Sequence, residues 1–139
     1  MNEKVLTTCP YCGTGCTFFL KVQDQKVLGV LPDKHGVGEG KLCIKGWSAH
    51  QFIHHPDRLT KPLIRIEGSS RSKSSFREAT WAEALDLVTS KLHSIREKHG
   101  ADALGFFASA KCTNEENYLI QKLARASIGT HNVDHCARL

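Results

Sequence analysis

The stretch Cys9-Pro10-Tyr11-Cys12-Gly13-Thr14-Gly15-Cys16, with a distant fourth cysteine in Leu42-Cys43-Ile44-Lys45-Gly46-Trp47, decides how the chain folds. The spacing is C-x2-C-x3-C-x26-C. Three closely spaced thiolates can wrap one end of a cubane [4Fe-4S] cluster, and Cys43 then serves the fourth iron. Gly13 and Gly15 permit tight turns and a close approach of backbone amides to sulfur. A structural zinc site also uses four thiolates, but it usually draws them as two separated short pairs. The three-and-one division favours the cluster, with zinc and plain buried or redox thiols as the competing readings. With four protein thiolates no iron is left open for substrate, so electron transfer is the expected use and the chemistry belongs elsewhere.

At 139 residues the chain suits one domain, or one small domain and part of a second. No segment reaches the roughly 20 apolar residues needed to cross a bilayer. The opening MNEKVLTTCPYCG lacks a basic lead into an apolar run, a twin arginine or a small-residue cleavage site, which predicts a cytoplasmic protein. In that compartment six cysteines point to metal binding or catalysis rather than to a disulfide framework. The formal charge of +5 is scattered over Lys41, Lys45, Arg58, Lys61, Arg65, Arg71, Lys73, Lys91 and Arg96. An anionic cluster offsets part of it, and charge alone does not choose among an anionic cofactor, an acidic redox partner and RNA.

Outward from the cysteines, CTFFLKV (16–22) and KVLGVLP (26–32) flank Asp24-Gln25 and read as a β-hairpin. The Gly-rich run from His35 to Gly40 lets the backbone turn and return Cys43 to the first three cysteines. The polar stretch from Ser69 to Ser75 reads as an exposed loop, and a boundary is expected near residue 60. Thr80 with Glu83 forms a capping box for a helix whose apolar positions are Trp81, Ala84, Leu85, Val88, Leu92 and Ile95, ended by Gly100. Ala103 to Ala108 reads as a buried parallel strand. A second capping box, Thr113 with Glu116, opens a helix to Ile128 closed by Gly129, and His131 to Asp134 leads into another strand. Strand, helix, strand is the start of a parallel α/β sheet, and such a sheet needs more strands than these two. The expected fold is therefore a small β-rich [4Fe-4S] domain over 1–60 followed by an incomplete α/β domain over 61–139, an α+β and α/β combination.

Other residues have plainer readings. Lys45, two places past the fourth cysteine, is by default a solvated lysine. Cys112 and Cys136 stand outside the cluster set and read as buried or packing thiols. His50 and His54 have metal-compatible spacing on a short helix, but no third ligand is near in sequence. His131 and His135 are expected at a strand end, and Trp47 and Trp81 as core anchors.

Taken together, C-P-Y-C-G-T-G-C, G-K-L-C-I-K-G-W, H-P-D-R-L-T-K-P-L, T-W-A-E-A-L-D, N-E-E-N-Y-L-I-Q-K-L-A-R and N-V-D-H-C-A-R-L closely resemble the amino-terminal part of molybdenum or tungsten formate dehydrogenases, over essentially the whole chain. The wider molybdopterin oxidoreductase family, including nitrate reductases and the large subunit of complex I, shares the cluster motif, whereas N-V-D-H-C-A-R-L looks like formate dehydrogenase. The resemblance implies a bis-(molybdopterin guanine dinucleotide) cofactor with molybdenum or tungsten beside the cluster. Lys45, matching the family's C-x-K-G lysine, is then an electron relay between pterin and cluster. Lys111, Asn114 and Arg138 become expected cofactor contacts, as does the neighbourhood of Ala110. It further implies a selenocysteine or cysteine metal ligand directly after Leu139, hence an expectation that the chain stops at a selenocysteine codon and that the natural polypeptide continues. The implied reaction is the interconversion of formate and CO2, with ferredoxin-like iron-sulfur subunits and a hydrogenase among the expected partners, and no nucleic acid. The alternatives are a stand-alone small [4Fe-4S] carrier, another molybdopterin oxidoreductase such as nitrate reductase, and a zinc-stabilised module. By this reading the segment alone does not oxidise formate.

Overall fold

The computed structural model describes residues 2–68 and 75–136. In chain order the elements are β1 (Asn2–Thr8), β2 (Thr17–Gln23), β3 (Lys26–Pro32), α1 (Ile44–Trp47), β4 (Leu63–Arg65), β5 (Phe76–Glu78), α2 (Trp81–His99), β6 (Phe106–Ala108), α3 (Asn114–Lys122) and β7 (Val133–His135). They fall into two compact units, Met1–Arg58 with Gly105–Leu139, and Leu59–Leu104.

In the first unit β1, β2 and β3 form an antiparallel sheet in that order. The hairpin expected around Asp24-Gln25 is present, and both turn residues take positive φ, 50° and 62°. That pair of left-handed residues gives the turn the same twist as its flanking strands. The strand β1 was not foreseen as a partner of the hairpin. A small core of Cys9, Phe18 and Ala49 gathers under the sheet, with Tyr11, Cys16, Leu20, Val30 and Leu42 packed against it. His50 and His54 lie in turns beyond α1 rather than on one helix. The His54 ring Nε2 accepts the Val27 backbone N–H at 2.9 Å, a structural bond that replaces the metal reading.

The same unit holds β6 and β7, paired in parallel from Phe106↔Val133 to Ala108↔His135 with α3 between them in sequence, as the strand-helix-strand pattern requires. Thr113 caps α3 through a complete capping box, its side chain accepting the Glu116 N–H and the Glu116 carboxylate accepting the Thr113 N–H at 2.7 Å. The helical path runs on to Ile128, but its last six residues widen into a π-turn, and Gly129 closes it at φ 88°. β6 is shorter than the sequence suggested, since Ala101–Ala103 form a 3-10 turn instead. Phe107 is 86% exposed, so one face of the expected buried strand is open.

In the second unit β4 and β5 pair antiparallel ahead of α2. Thr80 caps α2 by accepting the Glu83 N–H at 3.2 Å. The reciprocal half of the expected box is not made, because Arg77 takes the Glu83 carboxylate in an ion pair. Gly100 ends the helix at φ 85°. None of the α2 residues is buried, and Trp81 is 68% exposed, which corrects its assignment as a core anchor. Helical spacing aligned an apolar face, yet that face stays largely open, with Leu85 and Val88 57% and 54% exposed. Trp47 is also exposed. Of the polar stretch, residues 69–74 lie outside the described residues, and Ser75 is buried rather than exposed.

Candidate metal centre

Local structure brings the four cysteines from separate places to one cavity. Cys9 directly follows β1, Cys12 and Cys16 sit in the loop to β2, and Cys43 is the residue that opens α1. The loop is closed at its neck by the Cys9 N–H donating to the Cys16 carbonyl at 2.8 Å. The return of Cys43 depends on the glycine run: Gly38, Glu39 and Gly40 all have positive φ, and the Lys41 N–H bonds the Gly38 carbonyl at 2.7 Å. Thr17 Oγ1 donates to the buried Asp33 carboxylate at 2.8 Å and thereby ties the start of β2 to the residue after β3. Gly36 passes so close that a Cβ there would meet both of those oxygens.

The cavity, of about 720 Å³, is lined by all four cysteines together with Lys45, Ala110, Lys111 and Cys136. Burial, opposed by the Tyr11 N–H, raises the Cys9 thiol above its ordinary range, and the neighbouring charges of Cys12, Cys16 and Cys43 act in the same upward direction. Cys12 Sγ lies 3.3 Å from Thr14 Oγ1. The Thr14 hydroxyl and then the Thr14 N–H hold the Cys12 thiol below its ordinary range, with help from the Lys45 charge. Cys43 makes no side-chain cap bond, but the N–H groups of Gly46 and Lys45 face its sulfur and lower its pKa. Thus Cys9, Cys12 and Cys43 each have the amide two residues further on turned toward their sulfur.

This donor set fits an anionic cofactor larger than one ion. Among the described residues no group of three or more His, Cys, Asp and Glu is gathered tightly around one point, as a single tetrahedral ion requires. Four sulfurs spread around a cavity, supported by amides and flanked by two lysines, suit a thiolate-bound cubane.

Of the remaining expected site residues, Lys45 and Lys111 are exposed and line this cavity. Asn114 is turned to the cysteine loop instead, its Nδ2 donating to the Gly13 carbonyl at 2.8 Å. Arg138 lies outside the described residues. Cys112 is half-buried beside Phe107 and Leu119. Cys136 is exposed rather than packed. Its sulfur accepts the Ala110 N–H at 3.2 Å and lies 3.3 Å from Ser109 Oγ, and these groups hold the thiol below its ordinary range. That contact escaped the sequence reading because it joins residues 26 positions apart with no local motif. A second hollow, about 290 Å³, is bounded by Ser109, Asn117, Asp134 and His135 at the carboxyl ends of β6 and β7. Open α/β sheets bind ligands in such a crevice.

Comparison with known proteins agrees with this arrangement. The profile described as molybdopterin oxidoreductase Fe4S4 domain matches residues 2–55, and that described as molybdopterin oxidoreductase matches residues 58–139. The chain is 51% identical to F420-dependent formate dehydrogenase subunit alpha of Methanocaldococcus jannaschii, over 100% of this chain and 19% of the relative. It is 52% identical to the alpha subunit of F420-dependent formate dehydrogenase 1 of Methanococcus maripaludis, over 96% of this chain and 18% of the relative. A probable oxidoreductase of Bacillus subtilis is 47% identical over 98% of this chain and 13% of its own length. The chain therefore spans about a fifth or less of these relatives. Among solved structures, acetylene hydratase from Pelobacter acetylenicus has a similar fold, with a TM-score of 0.67 at 22% identity over 96% of this chain and 18% of that one.

Proposed function

The chain belongs to the molybdopterin oxidoreductase family, and on that premise we propose that it is the iron-sulfur part of a formate dehydrogenase alpha subunit, interconverting formate and CO2 in the whole protein. The observation that carries the proposal is the cavity lined by Cys9, Cys12, Cys16 and Cys43, in a chain about half identical to formate dehydrogenase alpha subunits. The four cysteines ligate a [4Fe-4S] cluster, each through its thiolate. Held in this way, the cluster supplies one-electron transfer, and a molybdenum- or tungsten-loaded bis-(molybdopterin guanine dinucleotide) supplies the two-electron chemistry.

Lys45 acts on the electron path: it shares the cavity with the cysteines, and its charge already bears on Cys12 and Cys43. Lys111 and Arg138 serve the anionic pterin cofactor, a role suited to cations, and the hollow at the ends of β6 and β7 is part of that site. We assign residues 1–60 to the cluster domain and 61–139 to part of the α/β domain, a division supported by the two matched ranges. Ferredoxin-like iron-sulfur subunits, and a hydrogenase in a larger complex, take up or deliver the electrons. No described helix is long and apolar enough to cross a membrane. The six free thiols suit a reducing cytoplasm, where we place the protein.

The test is anaerobic purification of the natural full-length subunit, followed by iron, sulfide and zinc analysis and an assay of formate-dependent dye reduction. About four irons and four sulfides at this site, with a reduced-state EPR signal that Cys43→Ser abolishes, are expected. Zinc in place of iron, or a fully loaded enzyme that leaves formate untouched, would sink the proposal.

A further inference from the structure

The peptide between Gly13 and Thr14 is held from both edges. On one side the Gly13 carbonyl accepts Asn114 Nδ2 at 2.8 Å. On the other, Thr14 lies against the Cys12 sulfur, its Oγ1 3.3 Å from Cys12 Sγ, and its N–H is among the groups that lower that thiol's pKa. Among the described residues no peptide bond is cis, so the C=O and N–H of this unit point in opposite directions within one rigid plane. Fixing the carbonyl therefore fixes the direction of the amide.

Cys43 offers an internal comparison. The Lys45 N–H faces Cys43 Sγ across the same two-residue step, and the carbonyl of that peptide, Ile44, is fixed by the Ser48 N–H at 3.1 Å. A local helical bond aims the amide there. In the Cys12 loop no helix is available, and the bond comes from a side chain 101 residues away at the first position of α3.

We propose that Asn114 is a positioning residue for the cluster: by gripping the Gly13 carbonyl it aims the Thr14 amide at the Cys12 sulfur and so sets the reduction potential of the cluster. This rests on the four-thiolate cluster proposed above. Amide donation to a ligating sulfur stabilises the more negative, reduced cluster and raises its potential. Loss of the grip lets the peptide rotate and lowers the potential. Asn114 thereby couples the helix following β6 to the electronic properties of a loop near the amino terminus.

Gly13 supplies an independent handle. A Cβ at Gly13 would lie 2.5 Å from Asn114 Oδ1, and the Asn114 amide is the movable partner. Gly13 does not have positive φ, so alanine meets no backbone penalty there. Asn114→Ala leaves the Thr113–Glu116 capping box intact, so α3 keeps its start.

The experiment is an EPR-monitored redox titration of the full-length, natively loaded subunit as wild type, N114A, G13A and the double variant. Both single variants are expected to shift the midpoint potential in the negative direction with altered g-values. The double variant is expected to shift no further than either, because both changes act on one bond. Variants that keep the cluster at the wild-type potential would overturn the inference. So would loss of cluster with an unshifted potential in the remainder, which would leave Asn114 a merely structural role, and so would additive shifts. Iron and sulfide in the wild type test the cluster separately, so the two failures are distinguishable.

Discussion

At the scale of the residue, the cysteine site depends on groups that bear no sulfur. The Thr17–Asp33 bond at 2.8 Å closes the base of the glycine run, and Gly36 leaves room for it. Gly36→Ala should force those two oxygens apart and cost about 1–3 kcal/mol by overpacking, measured by denaturant unfolding; an unchanged midpoint would contradict it. The Thr17 hydroxyl, followed by the His35 N–H, holds the Asp33 carboxyl below the usual carboxylate range. A group with a depressed folded pKa contributes stability above its unfolded pKa, roughly 3.9 for aspartate, and loses it as pH falls through the folded value. Wild type should therefore exceed Asp33→Asn in stability near neutral pH, and the gap should close in acid. A gap that persists unchanged below the folded pKa would refute the assignment. Sequence spacing made the four cysteines legible because Cys9, Cys12 and Cys16 stand close together in the chain. Asp33 and Asn114 were not legible in these roles, since their partners lie 16 and 101 residues away.

At the scale of the element, capping residues marked the helix starts correctly, while what each helix faces did not follow from its periodicity. Thr113 makes both halves of its box, whereas Thr80 makes one and cedes Glu83 to Arg77. Thr113→Ala should cost about 1 kcal/mol and Thr80→Ala less, read as lost amide-exchange protection in the first turns of α3 and α2; the opposite ranking would show the carboxylate half to be idle. Gly129 has φ 88° and ψ 28°, and its N–H bonds the Ala124 carbonyl at 2.8 Å to end the π-turn. Gly129→Ala should cost about 1 kcal/mol through the left-handed backbone, assayed by thermal unfolding. The glycine announced the stop, but the widening of the last turn had no sequence signal. Ala124 and Ile128, the buried residues of that turn, lie within the widened stretch.

At the scale of the whole molecule, each unit has little buried apolar material: the core at the cluster site centres on Cys9, Phe18 and Ala49. A ligand that binds only the folded state adds stability by mass action, and a small core leaves that contribution proportionately large. Removing iron with a chelator should lower the unfolding temperature of the loaded protein by roughly 10 °C or more and first expose the amides of the two cysteine loops to exchange. Equal melting of the loaded and stripped protein would argue against a cluster held by these residues. By itself the sequence determined the spacing of the first three cysteines, the hairpin, the helix caps and the strand-helix-strand order, because each rests on residues near in the chain. Only the tertiary structure decided that Lys111, Ala110 and Cys136 share the cysteine cavity, that Asn114 grips Gly13, and that Trp81 and Phe107 stay exposed. Those depend on which distant segments are brought into contact, and a one-dimensional pattern carries no record of a partner more than a few turns away.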